Sequence, residues 1–341
     1  MKKLLSVLVV AAIGMTACGN GAASGGASAG KKTIRLAYQA FPSGDLIVKN
    51  QGLLEKALPD YQITWTKFDS GASINTAFVA KSVDIAAIGS SPVARGLSAP
   101  LNIPYKVAFV LDVAGDNEAL VARNGSGVTD VASLKGKKVA TPFASTAHYS
   151  LLAALEQAGL AEKDVDIVDL EPQDIQAAWT RGDLDAAYTW LPSLAEIKKT
   201  GKVLIASREL ATAGKPTLDL GVVSTAFADA HPEAVDAWRK VEAQALDVIA
   251  NDPDAAAKAV AAELNLSPAD AKDQLSQGVF LKPADLSSPE WLGTEAAVGK
   301  LAGNLVSAAE FLKSQQKIDA VPSLTDVQKS IYVKGLPDVL S

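Results

Sequence analysis

The chain has 341 residues, of which 48% are hydrophobic, 21% charged and 6% aromatic, enough for roughly two domains of ~150 residues each around large buried cores. That composition excludes disordered and fibrous architectures, and a net charge of −6 with a pI near 5.1 gives no basic field to attract nucleic acid. One cysteine and two histidines exclude a disulfide scaffold and leave too few ligands for a Cys- or His-based metal site. Neither a metal nor a cofactor is expected.

At the amino terminus, Lys2 and Lys3 precede an apolar run from Leu4 to Met15, which Thr16, Ala17 and Cys18 close with small residues. This is the order of an export signal, and the run is shorter than the ~20 residues a spanning helix needs. Met15-Thr16-Ala17-Cys18 resembles a bacterial lipobox, whose cysteine is diacylated and becomes the mature terminus; a plain signal peptide with a chance cysteine is the alternative. Gly19 to Gly30 is almost entirely Gly, Ala, Ser and Asn, a composition that cannot bury a core. Residues 1–17 thus read as a signal peptide and 18–32 as a lipidated tether. The body is then exported and held at the outer face of the cytoplasmic membrane or in a periplasm.

In the body, Thr33 to Tyr38 reads as a strand and Asp45 to Leu58 as a helix stopped by Pro59. The strand Ile63 to Phe68 leads through Asp69-Ser70-Gly71 into a helix near Ser73, and the strand Val83 to Ile88 into a helix opened by Pro92. Glu118 to Ala122 and Lys138 to Thr141 are short strands. His148 to Ala158 is a helix ended by Gly159, followed by strand Val165 to Leu170 and helix Asp174 to Arg181. Strands follow at Ala186 to Tyr188, Val203 to Ala206 and Leu218 to Ser224, and Pro232 to Gln316 reads as successive helices. This alternation predicts an α/β protein with mostly parallel sheets. Two lobes are expected, the first from residues 33–115 and 218–341 and the second from 116–217, with two crossings that suit hinge closure on a ligand.

In open α/β sheets ligands sit beyond the carboxyl ends of strands. The loops there begin at Gln39, Asp69, Gly89, Pro142 and Trp190. Ser70, Ser90, Ser91, Ser145 and Thr146 bring hydroxyls to helix starts, where free N–H groups and the helix dipole hold an oxyanion without Lys or Arg. The same residues also fit as plain helix caps. Glu118 and Asp219 lie at the crossings, and Asp219 stands between Leu218 and Leu220, where a carboxylate is costly unless paired. Tyr38, Phe41, Tyr188 and Trp190 are strand-end aromatics placed either to wall a pocket or to join the core. Catalytic motifs are missing: there is no nucleophile elbow, P-loop, dinucleotide fingerprint or metal-spaced His pair.

The segments Lys67-Phe68-Asp69-Ser70-Gly71-Ala72-Ser73-Ile74, Ile88-Gly89-Ser90-Ser91-Pro92, Asn117-Glu118-Ala119-Leu120-Val121, Thr146-Ala147-His148-Tyr149-Ser150-Leu151-Leu152 and Pro216-Thr217-Leu218-Asp219 together resemble the taurine-type substrate-binding proteins of ABC transporters. The likeness runs in order from Thr33 to about Val235 and more loosely beyond. It implies a two-lobe, type II periplasmic-binding fold with a hinge and central cleft, which captures taurine (2-aminoethanesulfonate) and presents it to a permease with ATPase subunits. The protein is then a monomer and no enzyme. The implied ligand set is Gln39, with Ser70, Ser90, Ser91, Ser145, Thr146 and His148 at the sulfonate, Glu118 and Asp219 at the ammonium, and Trp190 as a wall. Gly221 departs from the bulkier residue expected there, implying a more open wall, and the lipobox departs from relatives that are freely soluble.

Two alternatives remain at this stage. One is a binder of other aliphatic sulfonates or related small sulfur compounds. The other is an exported hydrolase using Ser145 and His148, although a helix-start histidine serving a ligand or the backbone fits their spacing better. Thiamine-pyrimidine synthases of the same superfamily depend on a cysteine-rich motif, and no cysteine follows Cys18.

Overall fold

A computed structural model describes residues 31–340. The signal and tether readings, including Cys18, lie outside the described residues.

The chain begins with β1 (Lys32–Gln39), α1 (Gly44–Gln51), α2 (Leu53–Ala57), β2 (Tyr61–Phe68), α3 (Gly71–Val79), β3 (Ile85–Gly89), α4 (Ser90–Leu97) and β4 (Tyr105–Val113). It then crosses into β5 (Glu118–Arg123), β6 (Lys138–Thr141), α5 (Thr146–Gln157), β7 (Asp166–Asp169), α6 (Pro172–Arg181), β8 (Ala186–Trp190), α7 (Ser193–Lys198), β9 (Gly201–Ala206) and α8 (Ser207–Thr212). It returns through β10 (Leu218–Ser224) into α9 (Thr225–Ala230), α10 (Pro232–Asn251), α11 (Pro253–Leu264), α12 (Pro268–Leu275) and α13 (Leu301–Ser314).

These strands form two five-stranded sheets, ordered β2-β1-β3-β10-β4 and β7-β6-β8-β5-β9. The first sheet therefore takes its fourth strand from the returning chain. Each sheet buries apolar side chains on both faces. Ile34, Ile85, Phe109 and Val222 are sealed in the first, and Val121, Val139 and Tyr188 in the second. Each such side chain contributes about 1.5–3 kcal/mol.

Three expectations are corrected here. The sheets are mixed rather than mostly parallel: β1 with β2 and β3, and β6 with β7 and β8, run parallel, whereas β10 with β3 and β4, and β5 with β8 and β9, run antiparallel. The reversed strands are those that carry the chain between lobes. The single helix expected from Asp45 to Leu58 is two, because Gly52 adopts the left-handed conformation at φ 59° and ends α1. The helical stretch from Pro232 to Gln316 is interrupted after α12 by a 3-10 turn, Pro283–Ser287, and a two-residue hairpin pairing Gly293–Thr294 with Ala297–Val298.

Reversal of the crossing strands builds the site. A parallel strand brings its last residue to the carboxyl edge, and an antiparallel neighbour brings its first residue to that same edge. Asp219 at the start of β10 thus pairs with Gly89 at the end of β3, and Glu118 at the start of β5 pairs with Trp190 at the end of β8. Both carboxylates meet the helix starts that follow the parallel strands.

Candidate ligand-binding site

Between the sheets lies a narrow cavity lined by Gln39, Phe41, Pro42, Gly71, Gly89, Pro92, Ala114, Asn117, Glu118, Ser145, Thr146, Trp190, Leu191 and Asp219. No Lys, Arg or His is among them. Positive potential comes instead from the amino termini of α3 and α5, which open at Gly71 and Thr146. Gly71 and Gly89 permit close approach: a Cβ on Gly71 would lie 2.5 Å from Pro92 Cγ, and one on Gly89 2.6 Å from Thr146 Cγ2.

The two carboxylates of the cavity stand in different surroundings. Glu118 is buried and accepts four hydroxyl hydrogen bonds, from Thr146, from Ser207 at 2.7 Å, from Ser150 at 3.2 Å and from Thr217 at 3.3 Å. Burial pushes its pKa up, and those four donors pull it back toward the ionised form. Asp219 has no such shell. It faces Asp112 directly across the β4–β10 ladder, and burial, followed by the like charges of Asp112 and Glu118, raises its pKa well above the usual carboxylate range. Gln39 is held by donating from Nε2 to Ala87 O at 3.3 Å.

Of the residues expected at the ligand, the cavity gathers Gln39, Glu118, Ser145, Thr146, Trp190 and Asp219. Ser70 lies at the mouth, where its hydroxyl donates to Glu171 Oε1 at 2.9 Å and joins the first lobe to the second. Ser90 Oγ accepts from the Leu218 N–H at 3.0 Å, fastening α4 to β10. Ser91 and His148 line a second cavity with Arg95, Phe143, Tyr149 and Lys317. His148 is turned there by two contacts: Nδ1 accepts from the Ala144 N–H at 3.1 Å, and the ring stacks on Phe143 at 4.6 Å. His148, expected at the sulfonate, is therefore not among the residues lining the first cavity.

Of the strand-end aromatics, Phe41 and Trp190 wall the cavity. Trp190 also borders a larger outer depression that includes Tyr38 and Glu171. Tyr188 is core, its hydroxyl 3.0 Å from Ser207 Oγ. The more open wall expected at Gly221 is not found, because the Trp238 indole fills that space: a Cβ on Gly221 would lie 2.4 Å from Trp238 Cη2. Sequence reading missed Asp112. Its signal was available, since Val110-Leu111-Asp112-Val113 has the same acid-in-apolar pattern that singled out Asp219.

Two mixed-sheet α/β lobes, joined by two crossings and enclosing a cavity at their strand ends, define the class as a type II periplasmic-binding fold. A family model described as NMT1/THI5 like matches residues 102–256. The taurine-binding periplasmic protein of Escherichia coli is 38% identical over 263 residues, covering 76% of this chain and 79% of the relative. A putative aliphatic sulfonates-binding protein of Bacillus subtilis is 34% identical over 244 residues, 71% of this chain and 72% of the relative. Among solved structures, the alkanesulfonate-binding protein SsuA from Xanthomonas axonopodis pv. citri bound to MOPS shares the fold at a TM-score of 0.74 and 22% identity, over 88% of this chain and 98% of that one. The chain belongs to the family of taurine-type ABC-transporter substrate-binding proteins.

Proposed function

We propose that the protein is an extracytoplasmic lipoprotein that captures taurine and delivers it to an ABC importer. The observation carrying this reading is the cavity's polarity. The amino termini of α3 and α5 and the two carboxylates Glu118 and Asp219 line one cavity with no basic side chain among its lining residues. Such a site matches a small zwitterion with a permanently charged oxyanion at one end and an ammonium at the other. A sulfonate stays a monoanion and only accepts hydrogen bonds, so neutral donors suit it.

In this reading the backbone N–H groups at Gly71 and Thr146 face the sulfonate, Glu118 and Asp219 face the ammonium, and Phe41 and Trp190 close the apolar sides. Lobe 33–115 with 218–341 closes on lobe 116–217, and the Ser70–Glu171 hydrogen bond spans the mouth in the closed form. The protein acts as a monomer and passes its ligand to a permease with ATPase subunits. Binding rather than turnover is supported by the state of the Ser145–His148 pair. The Ser145 hydroxyl donates to Pro142 O, and the Ala144 N–H occupies His148 Nδ1, so the imidazole is not placed as a base for that hydroxyl.

Titration calorimetry with taurine, ethanesulfonate and longer alkanesulfonates tests the proposal. Taurine is expected to bind with micromolar or tighter affinity, about −8 kcal/mol or better, and well ahead of ethanesulfonate. Strong ethanesulfonate binding with no heat from taurine would transfer the protein to the alkanesulfonate binders and remove the ammonium role from Glu118 and Asp219.

A further inference from the structure

We propose that Asp112 and Asp219 share one proton in the ligand-free protein, and that the ligand's ammonium takes that proton's place, so that capture of an amino-sulfonate releases a proton to solvent. This deepens the taurine reading and rests on it.

Asp112 has no other evident purpose. It is 0% exposed, and neither of its carboxyl oxygens has a hydrogen-bond partner among the described residues. A buried carboxyl group without donors is strongly destabilising. The strand register sets Asp219 directly opposite, and Asp219 also lines the ligand cavity. The groups of Asp219 within reach of Asp112 are its backbone N–H and, when protonated, its hydroxyl.

The surroundings leave the pair no cationic partner. Asp45 on α1 and Glu118 on β5 add like charge to both members. Lys49, also on α1, is paired with Glu263. On α10, Glu242 accepts from the Trp238 indole, and Arg239 is engaged by Asp236 and the carbonyls of Tyr332 and Lys334. Arg95 on α4 lines the other cavity, and Asp229 on α9 is exposed. Burial and neighbouring like charges push both pKa values up; hydrogen bonds from Asp219 pull that of Asp112 back, whereas Asp112 raises that of Asp219 further. The proton accordingly sits on the residue that faces the ligand.

The exchange balances simply. The alkylammonium enters fully protonated and donates to Asp219, with Asp112 behind as the second counter-charge. The Asp219 O–H bond breaks, its electron pair stays on the carboxylate, and the proton leaves to buffer. One positive charge replaces another, and no bond of the ligand changes. A sulfonate without an amine has nothing to replace the proton and leaves it in place. Asp112 is thus a positioning residue that makes Asp219 wait, protonated, for a cation.

The test is calorimetry of the full chain in buffers of different ionisation enthalpy near pH 7, with taurine and ethanesulfonate. Taurine is expected to release up to one proton per molecule bound, and its affinity to rise with pH, by up to about tenfold per unit while Asp219 is protonated in the free protein; ethanesulfonate releases none and its affinity stays flat. In Asp112→Asn, and in Asp112→Ser as a second variant checked by its melting transition, Asp219 loses the like charge that helps hold its proton, and release per bound taurine falls. Taurine binding to the wild-type chain without proton release overturns the proposal while leaving the function reading intact, as does undiminished release in both variants. Absence of binding by either sulfonate overturns both.

Discussion

At the scale of single residues, the two cavity carboxylates show how environment divides like groups. Glu118 is pre-solvated by four hydroxyls, whereas Asp219 stands beside the like charge of Asp112. Asp219→Asn is expected to lower taurine affinity about 30-fold or more, the value of a charge-assisted hydrogen bond, with little effect on ethanesulfonate; equal losses for both ligands would count against the assignment. His148 carries a pH signature. Its folded pKa is pushed down to about 4 by burial and by Lys317, while the unfolded ring titrates near 6.5. The unfolded chain therefore binds the extra proton first. The stability that the neutral ring supports, on the order of 3 kcal/mol, is present above about pH 6.5 and is lost as pH falls toward 4. The stability gap between wild type and His148→Asn should shrink over that window in denaturant titrations, and a constant gap would sink the argument.

At the scale of elements, most of the pattern was legible because alternation and caps are local. The strand Leu218–Ser224 read directly from apolar periodicity, and the helix starts read near Ser73 and at His148 fall two residues inside the observed openings at Gly71 and Thr146. Strand direction was not legible, since no local signal distinguishes the returning β10 from a parallel neighbour. β4 went unread, and Asp112 was overlooked with it. Side-chain aim was equally hidden: His148 is near the ligand in sequence, but the third residue of a helix leans back over the turn before it and here meets Ala144 and Phe143. Gly221 illustrates a packing fact that only the fold supplies. Gly221→Ala drives a methyl group into Trp238 and Phe109, which should cost about 1–3 kcal/mol, seen as a lower melting temperature; an unchanged transition would show that the indole moves freely aside.

At the scale of the whole molecule, the reading joins a lipid, a tether and a closing receptor. Cys18→Ala is expected to move the protein from the membrane fraction to the soluble one and to abolish incorporation of a labelled fatty acid. Retention of the label would place the acyl chain elsewhere. Taurine binding by the variant should match that of wild type, because the body from Lys32 onward contains every cavity-lining residue.

The interleaved strand order also sets a timetable for folding. β10 is hydrogen-bonded between β3 and β4, so until the chain has been threaded past residue 224 the first sheet is split, with two apolar strands unpaired along their inner edges. The second sheet uses only strands between Glu118 and Ala206 and is complete much earlier. Long-range pairing of this kind is slow and leaves adhesive edges open. Pulsed hydrogen exchange during refolding should protect amides of β6 and β8 before those of β3 and β4. The larger lobe is therefore the last to lock, and it does so through a strand that also carries the chain back from the second lobe.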